Sequence, residues 1–317
     1  MISGYTFADV YKKFVKCMQE NGQVVSPRGM KTKELLQASF CIENPWMNLA
    51  YIKGRNFSLM HALAESLLLV TKENSVACYT LMNENMSDYS DDGKTLHGAY
   101  GYRIADSISA CVQKLREDKY TRQAILTIHR LNDLYETSKD IPCTICLQFT
   151  IRSNMLNMHV YMRSNDIIWG TPYDVFVFTN LQMVIANTLG IKVGRYYHTV
   201  TSLHVYEKHF ELLDKIVDSE VESHGHYNRN ELDDWAMLGQ VYCHFAKLKT
   251  KEWLAIRMMD AYDQDGNYTF AFGMEAAYRF FKGQKYPDVF FENGASAIKH
   301  NYYGAWLKQF TRRWWDK

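Results

Sequence analysis

The stretch MRSNDIIWGTPYD, residues 162–174, gathers an Arg, a Ser, an Asn and two carboxylates around Ile167, Ile168 and Trp169, beside a Gly-Thr-Pro turn. The last carboxylate, Asp174, poses the sharpest question, namely what it reads. Upstream, IPCTICLQF carries Cys143 and Cys146 at CxxC spacing. A zinc or redox pair needs both sulfurs on one side. CTICLQFTI is β-branched and apolar, so it reads as strand, where residues three apart point to opposite faces. No second metal-type pair accompanies it, and no metal site is expected. A single Cys can instead serve as a nucleophile, but a free thiol titrates near ~8.5 and needs a nearby cation to ionise at neutral pH. Glu65 lies inside RNFSLMHALAESLLLVTK, residues 55–72, crowded by Leu63, Leu67, Leu68 and Leu69. A carboxylate in such an apolar helix is paired, solvated in a pocket or functional. In SLHVYEKHF, His204 and Tyr206 stand two apart on a strand and share a face.

These residues need elements to hold them. Residues 55–72 and 104–117 read as helices by their apolar spacing. The polar run ENMSDYSDDGKTLH, residues 84–97, reads as a loop. AILTIH, CTICLQFTIR and MLNMHVYMR read as strands, the last two joined by the hairpin signal Ser153-Asn154. DVFVFTNLQMVIANTLG reads as a buried helix ending at Gly190, and TVTSLHVY returns to strand. The pattern is α+β with a mostly antiparallel or mixed sheet. After about residue 222 the texture changes: SHGHYNRNELDD is a polar joint, and several helices are expected beyond it. Residues 1–225 therefore read as one domain and residues 226–317 as a mainly helical C-terminal extension. Its Tyr and Trp recur at helical spacing amid mixed charge, which favours packing over base stacking.

Bulk composition excludes several classes. The 317 residues are 47% hydrophobic and 14% aromatic, enough for a large core. The net charge of +1, from 36 basic and 35 acidic residues, gives no global field for nucleic acid or a membrane surface. MISGYTFADVYKKF lacks the apolar core of a signal peptide, and no apolar run reaches the ~20 residues of a membrane span. Seven scattered cysteines with no export signal read as thiols in a reducing cytoplasm.

The order TRQAILTIHR, IPCTICLQF, MRSNDIIWGTPYD, SLHVYEKHF, preceded by SPRGMKT, ALAESLLLV and HGAYGYR, resembles thymidylate synthase and its pyrimidine hydroxymethylase relatives over roughly residues 20–215. The resemblance implies a thymidylate-synthase-like fold and one-carbon transfer from 5,10-methylenetetrahydrofolate to C5 of a pyrimidine nucleoside monophosphate. It implies Cys143 as the nucleophile that adds at C6, Glu65 as a proton-relaying carboxylate and Tyr100 as the tyrosine near the nucleophile. Arg163 and Ser164 match phosphate contacts. Arg122 matches a phosphate-binding Arg donated by the other subunit of a homodimer. Arg suits phosphate because its planar fork makes two parallel hydrogen bonds. Asp166 matches the pterin-binding carboxylate, with Trp169 beside it on the folate side. His204 and Tyr206 match the pair on the sugar 3′-hydroxyl. Two positions depart from the family pattern. Pro27 stands where a basic residue usually precedes Arg28, leaving Arg28 or Lys31 to take that phosphate contact. A tandem Arg pair is reduced to Thr121-Arg122, with Arg130 or Lys119 as candidate replacements.

Asp174 stands where thymidylate synthase has Asn. An amide both donates and accepts, which suits uracil; an ionised Asp only accepts. It suits the 4-amino group of cytosine, with a proton placed between N3 and the carboxylate. Asp174 is thus expected to select cytosine, and an unpaired buried mismatch could discriminate by ~10⁴. Thr144, where thymidylate synthase usually has His, points the same way. The terminal RRWWDK is unlike the apolar tail that closes thymidylate synthase, and a site that admits water fits hydroxymethylation. Deoxycytidylate 5-hydroxymethylation in a cytoplasm, a host's if the chain is viral, is the expected function, without direct nucleic-acid binding. A CMP hydroxymethylase, a dUMP or dCMP C5-methylase and a catalytically silent homologue remain alternatives.

Overall fold

The computed structural model describes residues 1–50, 55, 57, 59–70, 72–80 and 83–219. The expected domain joint near 225 and the helical extension 226–317 lie outside the described residues.

The described elements are β1 (Ile2–Gly4), α1 (Phe7–Asn21), β2 (Gln23–Val25), β3 (Thr32–Ile42), α2 (Leu59–Leu69), α3 (Val76–Tyr79), α4 (Tyr100–Glu117), β4 (Ile125–Thr127), β5 (Thr144–Arg152), β6 (Met155–Asp166), α5 (Gly170–Leu189), β7 (Lys192–Tyr206) and α6 (Phe210–Asp218). They form an α+β fold around one mixed sheet of order β1-β3-β7-β6-β5-β4, with β2 on β3. β6 and β7 are parallel, as are β1 and β3; the other pairs are antiparallel. The Ser153-Asn154 hairpin forms as expected. Both residues take positive φ, 51° and 57°, the conformation that lets a two-residue turn follow the strand twist.

Parallel strands need a crossover, and α5 supplies it between β6 and β7. Its sequence is apolar on nearly every side, so it is buried through most of its length. Gly190 closes it at φ 67°, as the sequence signal anticipated. The Gly-Thr-Pro sequence differs from expectation. It is the first turn of α5 rather than a tight turn. Pro172 is tolerated there because helix-start N–H groups lack intrahelical acceptors in any case.

Ile167 and Ile168, in the link from β6 to α5, are fully buried. Tyr11 Oη donates to the Ile167 carbonyl at 2.9 Å, and Arg55 Nε and Nη2 donate to the Ile168 carbonyl at 3.1 and 2.7 Å. The link is therefore nailed to the core by two side chains and two backbone acceptors. Truncating either Ile to Ala should cost roughly 2–5 kcal/mol.

Several elements went unread in the sequence, among them α1, β3 and α6. α1 starts at a capping box in which Thr6 Oγ1 accepts from the Asp9 N–H and Asp9 Oδ2 from the Thr6 N–H. β3 pairs with β7 over most of its length, and α6 follows β7. The expected helix at 55–72 is shorter, beginning at Leu59. That at 104–117 starts earlier, at Tyr100. The 84–97 loop holds a 3-10 turn, Glu84–Tyr89. No helix among the described residues is long and apolar enough to cross a membrane.

Candidate active site

Cys143 sits just before β5 and Arg163 near the end of β6, two antiparallel neighbours. The Arg163 N–H donates to the Cys143 carbonyl at 2.9 Å. Its guanidinium donates to the Pro142 carbonyl at 2.9 Å and the Ile141 carbonyl at 2.8 Å, and Nη2 lies 3.8 Å from Cys143 Sγ. Arg163 thus holds the IPC segment by its backbone and presents its charge to the thiol. Burial still pushes the Cys143 thiol up; Arg163 and Arg28 oppose this, and Asp174 and Asp140 add to it. The resting group is a thiol, and extra positive charge beside it is needed to ionise it. Cys146 is also a free thiol. The ladder slips register between Thr144 and Cys146.

The C-terminal ends of the parallel strands β6 and β7 lie side by side, with Ser164 opposite Ser202 and Asp166 opposite His204. Ser164 Oγ is 3.4 Å from His204 Nδ1. The rings of His204 and Tyr206 meet edge to face at 5.1 Å. Burial raises the Tyr206 hydroxyl, Asp166 and Cys143 add to this, and Arg28 lowers it. Arg28 therefore reaches both Cys143 and Tyr206 electrostatically. It occupies a left-handed conformation, φ 54°, in the turn Pro27–Gly29. Lys31 is directed elsewhere, its Nζ pairing with Glu207 Oε1 at 2.6 Å on the surface. Of the two basic candidates for the phosphate loop, Arg28 faces the cleft.

Asp174, in the second turn of α5, closes the site from the other side. Its surface is only partly covered, yet the surrounding protein strips its carboxyl of water and pushes it up to about 8. Glu65 on α2 adds a repelling negative charge, and a hydrogen bond from Asn165 opposes the shift. At neutral pH this carboxyl holds its proton. That corrects the expectation of an ionised, acceptor-only Asp174. The cause is burial beside a like charge with no cation in contact among the described residues.

Glu65 Oε1 lies 3.2 Å from His61 Nε2, one turn earlier on α2, so the carboxylate is both paired and part-exposed to the cleft. Tyr100 opens α4; its Oη accepts from Thr144 N at 3.2 Å and Thr144 Oγ1 at 3.1 Å. Burial raises the Tyr100 hydroxyl well above its ordinary range, with Asp174 and Cys143 adding to the effect. Its own proton remains to be donated towards those groups. Thr144 is completely buried. The residue after Cys143 therefore orients the tyrosine, a role the sequence reading did not assign.

Asp166 Oδ1 accepts from the Ile168 N–H at 2.7 Å and the Trp169 N–H at 3.2 Å. One carboxylate oxygen is thus committed to the turn that starts α5. Trp169 is 38% exposed, and its Nε1 donates to His209 Nε2 at 3.0 Å. An exposed indole face next to a fixed carboxylate fits a flat heterocycle bearing N–H donors, as a pterin does.

Arg122 is the predicted site residue that stands apart. It is exposed, and its carbonyl accepts from Gln148 Nε2 at 2.9 Å. Gln148 lies five positions along from Cys143, roughly 16 Å at about 3.3 Å per residue. Arg130, a suggested replacement, is turned inward, with Nη2 donating to the Arg103 carbonyl at 3.0 Å. Among the described residues no cluster of three His, Cys, Asp or Glu could hold a metal ion.

The mixed sheet, the crossover helix and the Cys, Arg, Ser, His and carboxylate side chains gathered near the β6–β7 ends define the class as α+β. A match to the thymidylate synthase family spans residues 9–244. The chain belongs to that family. It is 31% identical over 225 residues to a deoxyuridylate hydroxymethyltransferase of Bacillus phage SP01, covering 64% of this chain and 59% of that one. It is 33% identical over 162 residues to the deoxyuridylate hydroxymethyltransferase of Pseudomonas phage M6, covering 49% and 45%. The chain thus spans about half the length of these curated relatives. The solved thermostable thymidylate synthase A from Bacillus subtilis shares the fold, with a TM-score of 0.59 at 21% identity, covering 69% of this chain and 86% of that one.

Proposed function

We propose that the chain transfers a hydroxymethyl group from 5,10-methylenetetrahydrofolate to C5 of dCMP, giving 5-hydroxymethyl-dCMP. The observation that carries the reading is Asp174, a carboxyl pushed up to about 8, hydrogen-bonded by Asn165 and close enough to Cys143 to raise its thiol. Cytosine offers an acceptor at N3 and a donor at the 4-amino group. A neutral carboxyl offers the complement, O–H to N3 and C=O to the amino group. Because cytosine N3 is basic, the proton can pass to it, leaving a charge-assisted pair. A protonated N3 also makes C6 more electrophilic.

In this reading Arg28, Arg163, Ser164 and the partner subunit's Arg122 hold the phosphate, and His204 with Tyr206 holds the sugar 3′-hydroxyl. The Cys143 thiolate adds to C6, forming a C–S bond and turning C5 into a nucleophile. Asp166 and Trp169 hold the folate, which supplies the one-carbon unit. C5 bonds the methylene carbon. Tyr100 and Glu65 take up the C5 proton as the carbon–nitrogen bond to the folate breaks and tetrahydrofolate leaves. Water adds to the resulting exocyclic methylene, and cleavage of the C–S bond returns the Cys143 thiolate. Placing Arg122 in a partner's site accounts for its distance from Cys143. The apolar side chains Leu36, Ile145 and Tyr161, exposed on the sheet, suit a second copy. The hydroxymethyl product is supported by the similarity to phage deoxyuridylate hydroxymethyltransferases.

A second reading, dUMP as substrate, is favoured by that same similarity and is compatible with a neutral Asp174. Its C=O can accept from uracil N3–H while its O–H donates to O4. Tritium release from [5-³H]dCMP, [5-³H]CMP and [5-³H]dUMP, each with methylenetetrahydrofolate, separates the cases. Release from dCMP alone, with hydroxymethyl product on chromatography, is expected. Release from dUMP alone overturns the cytosine reading. Release from CMP moves the enzyme to ribonucleotides. Silence on all three favours a non-catalytic homologue.

A further inference from the structure

We infer that Asn165, clamped by Thr171, is the positioning residue that commits one oxygen of Asp174 as an acceptor and leaves the other to carry the proton exchanged with the base. The inference rests on the base-reading role proposed for Asp174. It concerns residues to which the sequence reading gave no part.

Asn165 is the penultimate residue of β6 and is 3% exposed. Its Nδ2 donates to Asp174 Oδ2 at 2.6 Å. Its Oδ1 accepts from Thr171 Oγ1, and that hydroxyl also lies 3.2 Å from the Asp166 carbonyl. Thr171 is fully buried in the first turn of α5. With the amide oxygen occupied by Thr171, the amide nitrogen faces Asp174. An oxygen already receiving an N–H is the carbonyl-like one, so the acid proton belongs on Oδ1.

Gly170 supplies an independent sign that this bridge has its own space. A Cβ at Gly170 would come within 3.0 Å of Asn165 Nδ2 and 3.6 Å of Asp174 Oδ2. The helix thus starts with the residue that leaves room for the amide. Strand, helix start and second helical turn meet over one hydrogen bond. The other titratable groups around Asp174 are Glu65 from α2, Tyr100 from α4, Cys143 before β5 and Tyr196 from β7. None of these is a cation, so Asn165 is the group among the described residues that donates to this carboxyl. It fixes the orientation of Asp174 and limits how tightly the proton is held.

Asn165→Ala, Thr171→Val, Thr171→Ser and Asp174→Asn, each in the full chain, test this. The readouts are kcat/KM for dCMP and dUMP from pH 5.5 to 9.5, and the melting temperature. Asn165→Ala is expected to lower kcat/KM for dCMP roughly 10- to 100-fold, the loss of one hydrogen bond to an ionisable group. The pH limb that disappears in Asp174→Asn should move to higher pH, because the donor favouring the ionised carboxylate is gone. Thr171→Val should move the limb the same way with a smaller loss, and Thr171→Ser should return it. If Asn165→Ala does not fold, the Thr171 pair carries the test. A loss of activity that follows melting temperature with the limb in place overturns the inference. If Asp174→Asn leaves the dCMP-to-dUMP ratio unaltered, the base-reading role fails instead, whatever Asn165 does.

Discussion

Two enclosed carboxylates in this molecule have opposite fates. Asp133, in the turn after β4, is buried beside Arg103 of α4. Arg103 Nη1 donates to its Oδ2 at 2.7 Å and Nη2 to its Oδ1 at 2.9 Å, and the Arg130 N–H adds a further bond at 2.7 Å. His97 Nε2 lies 2.8 Å from Oδ1. Burial works against ionisation there, but those donors win and hold Asp133 well below the usual carboxylate range. Asp174 has burial, Glu65 and one amide, and it is pushed up. The difference is the presence of a cation with matching geometry. One carboxylate is spent on structure, clamping the segment that leads to Cys143. The other is left short of partners, which a site needs if a ligand is to complete it.

The comparison can be broken most directly at Asp174. Asp174→Asn should shift the kcat/KM preference from dCMP towards dUMP by on the order of 10³–10⁴, because the exchangeable proton is lost. Competition between the two nucleotides in the tritium assay measures it. Asp133→Asn should leave that ratio alone and cost about 3–5 kcal/mol of stability, since Arg103 is then buried without its counter-ion. Urea unfolding reads that loss.

Acidity should separate the two sites further. The native state keeps the Asp174 proton up to about pH 8, whereas the unfolded chain releases it near 4. Its contribution to stability is therefore present in acid and lost as pH rises through that window, by up to about 1 kcal/mol per pH unit. Asp133 has the opposite sign: its contribution is full above the unfolded value and lost as pH falls below it. Unfolding of the unliganded protein at pH 2, 4, 6 and 8 checks both, and Asp174→Asn should remove the fall between pH 4 and 8. The smallest effect belongs to the surface pair. Lys31→Ala should change stability by less than ~1 kcal/mol, because both partners are solvated. Arg28→Ala, by contrast, should raise the KM for nucleotide. Equal KM effects of the two would undo the distinction between them.

Much of this was legible in the chain. The period-2 strands, the all-apolar crossover helix and Gly190 each carry a local signal, so they were read correctly. Cys143, Arg163, Ser164, Asp166, His204 and Tyr206 were proposed because their order resembles a known family, and the β5–β6 and β6–β7 pairings bring their positions together. What was missed depends on contacts distant in sequence. Nothing local in NDIIWGTPYD says that Asn165 reaches Asp174, although a Gly opening a helix was a hint of close approach. The protonation of Asp174 was misread for the same reason. Its type says acceptor, while its state is decided by α2 and by burial, which only the fold supplies. The Thr144–Tyr100 bond likewise joins β5 to α4 across 44 positions.

The crossover helix α5 has a consequence for how such a site can change over generations. Its side chains are locked into the core on nearly every side, so the helix cannot drift to meet a new base. If Asp174 reads the base as proposed, substrate choice diverges by exchanging the head group at position 174 on a fixed mount. Asp and Asn codons differ by a single transition in the first base. A lineage in this family could cross between two pyrimidines in one mutational step, with its scaffold untouched and the neighbouring amide already in place.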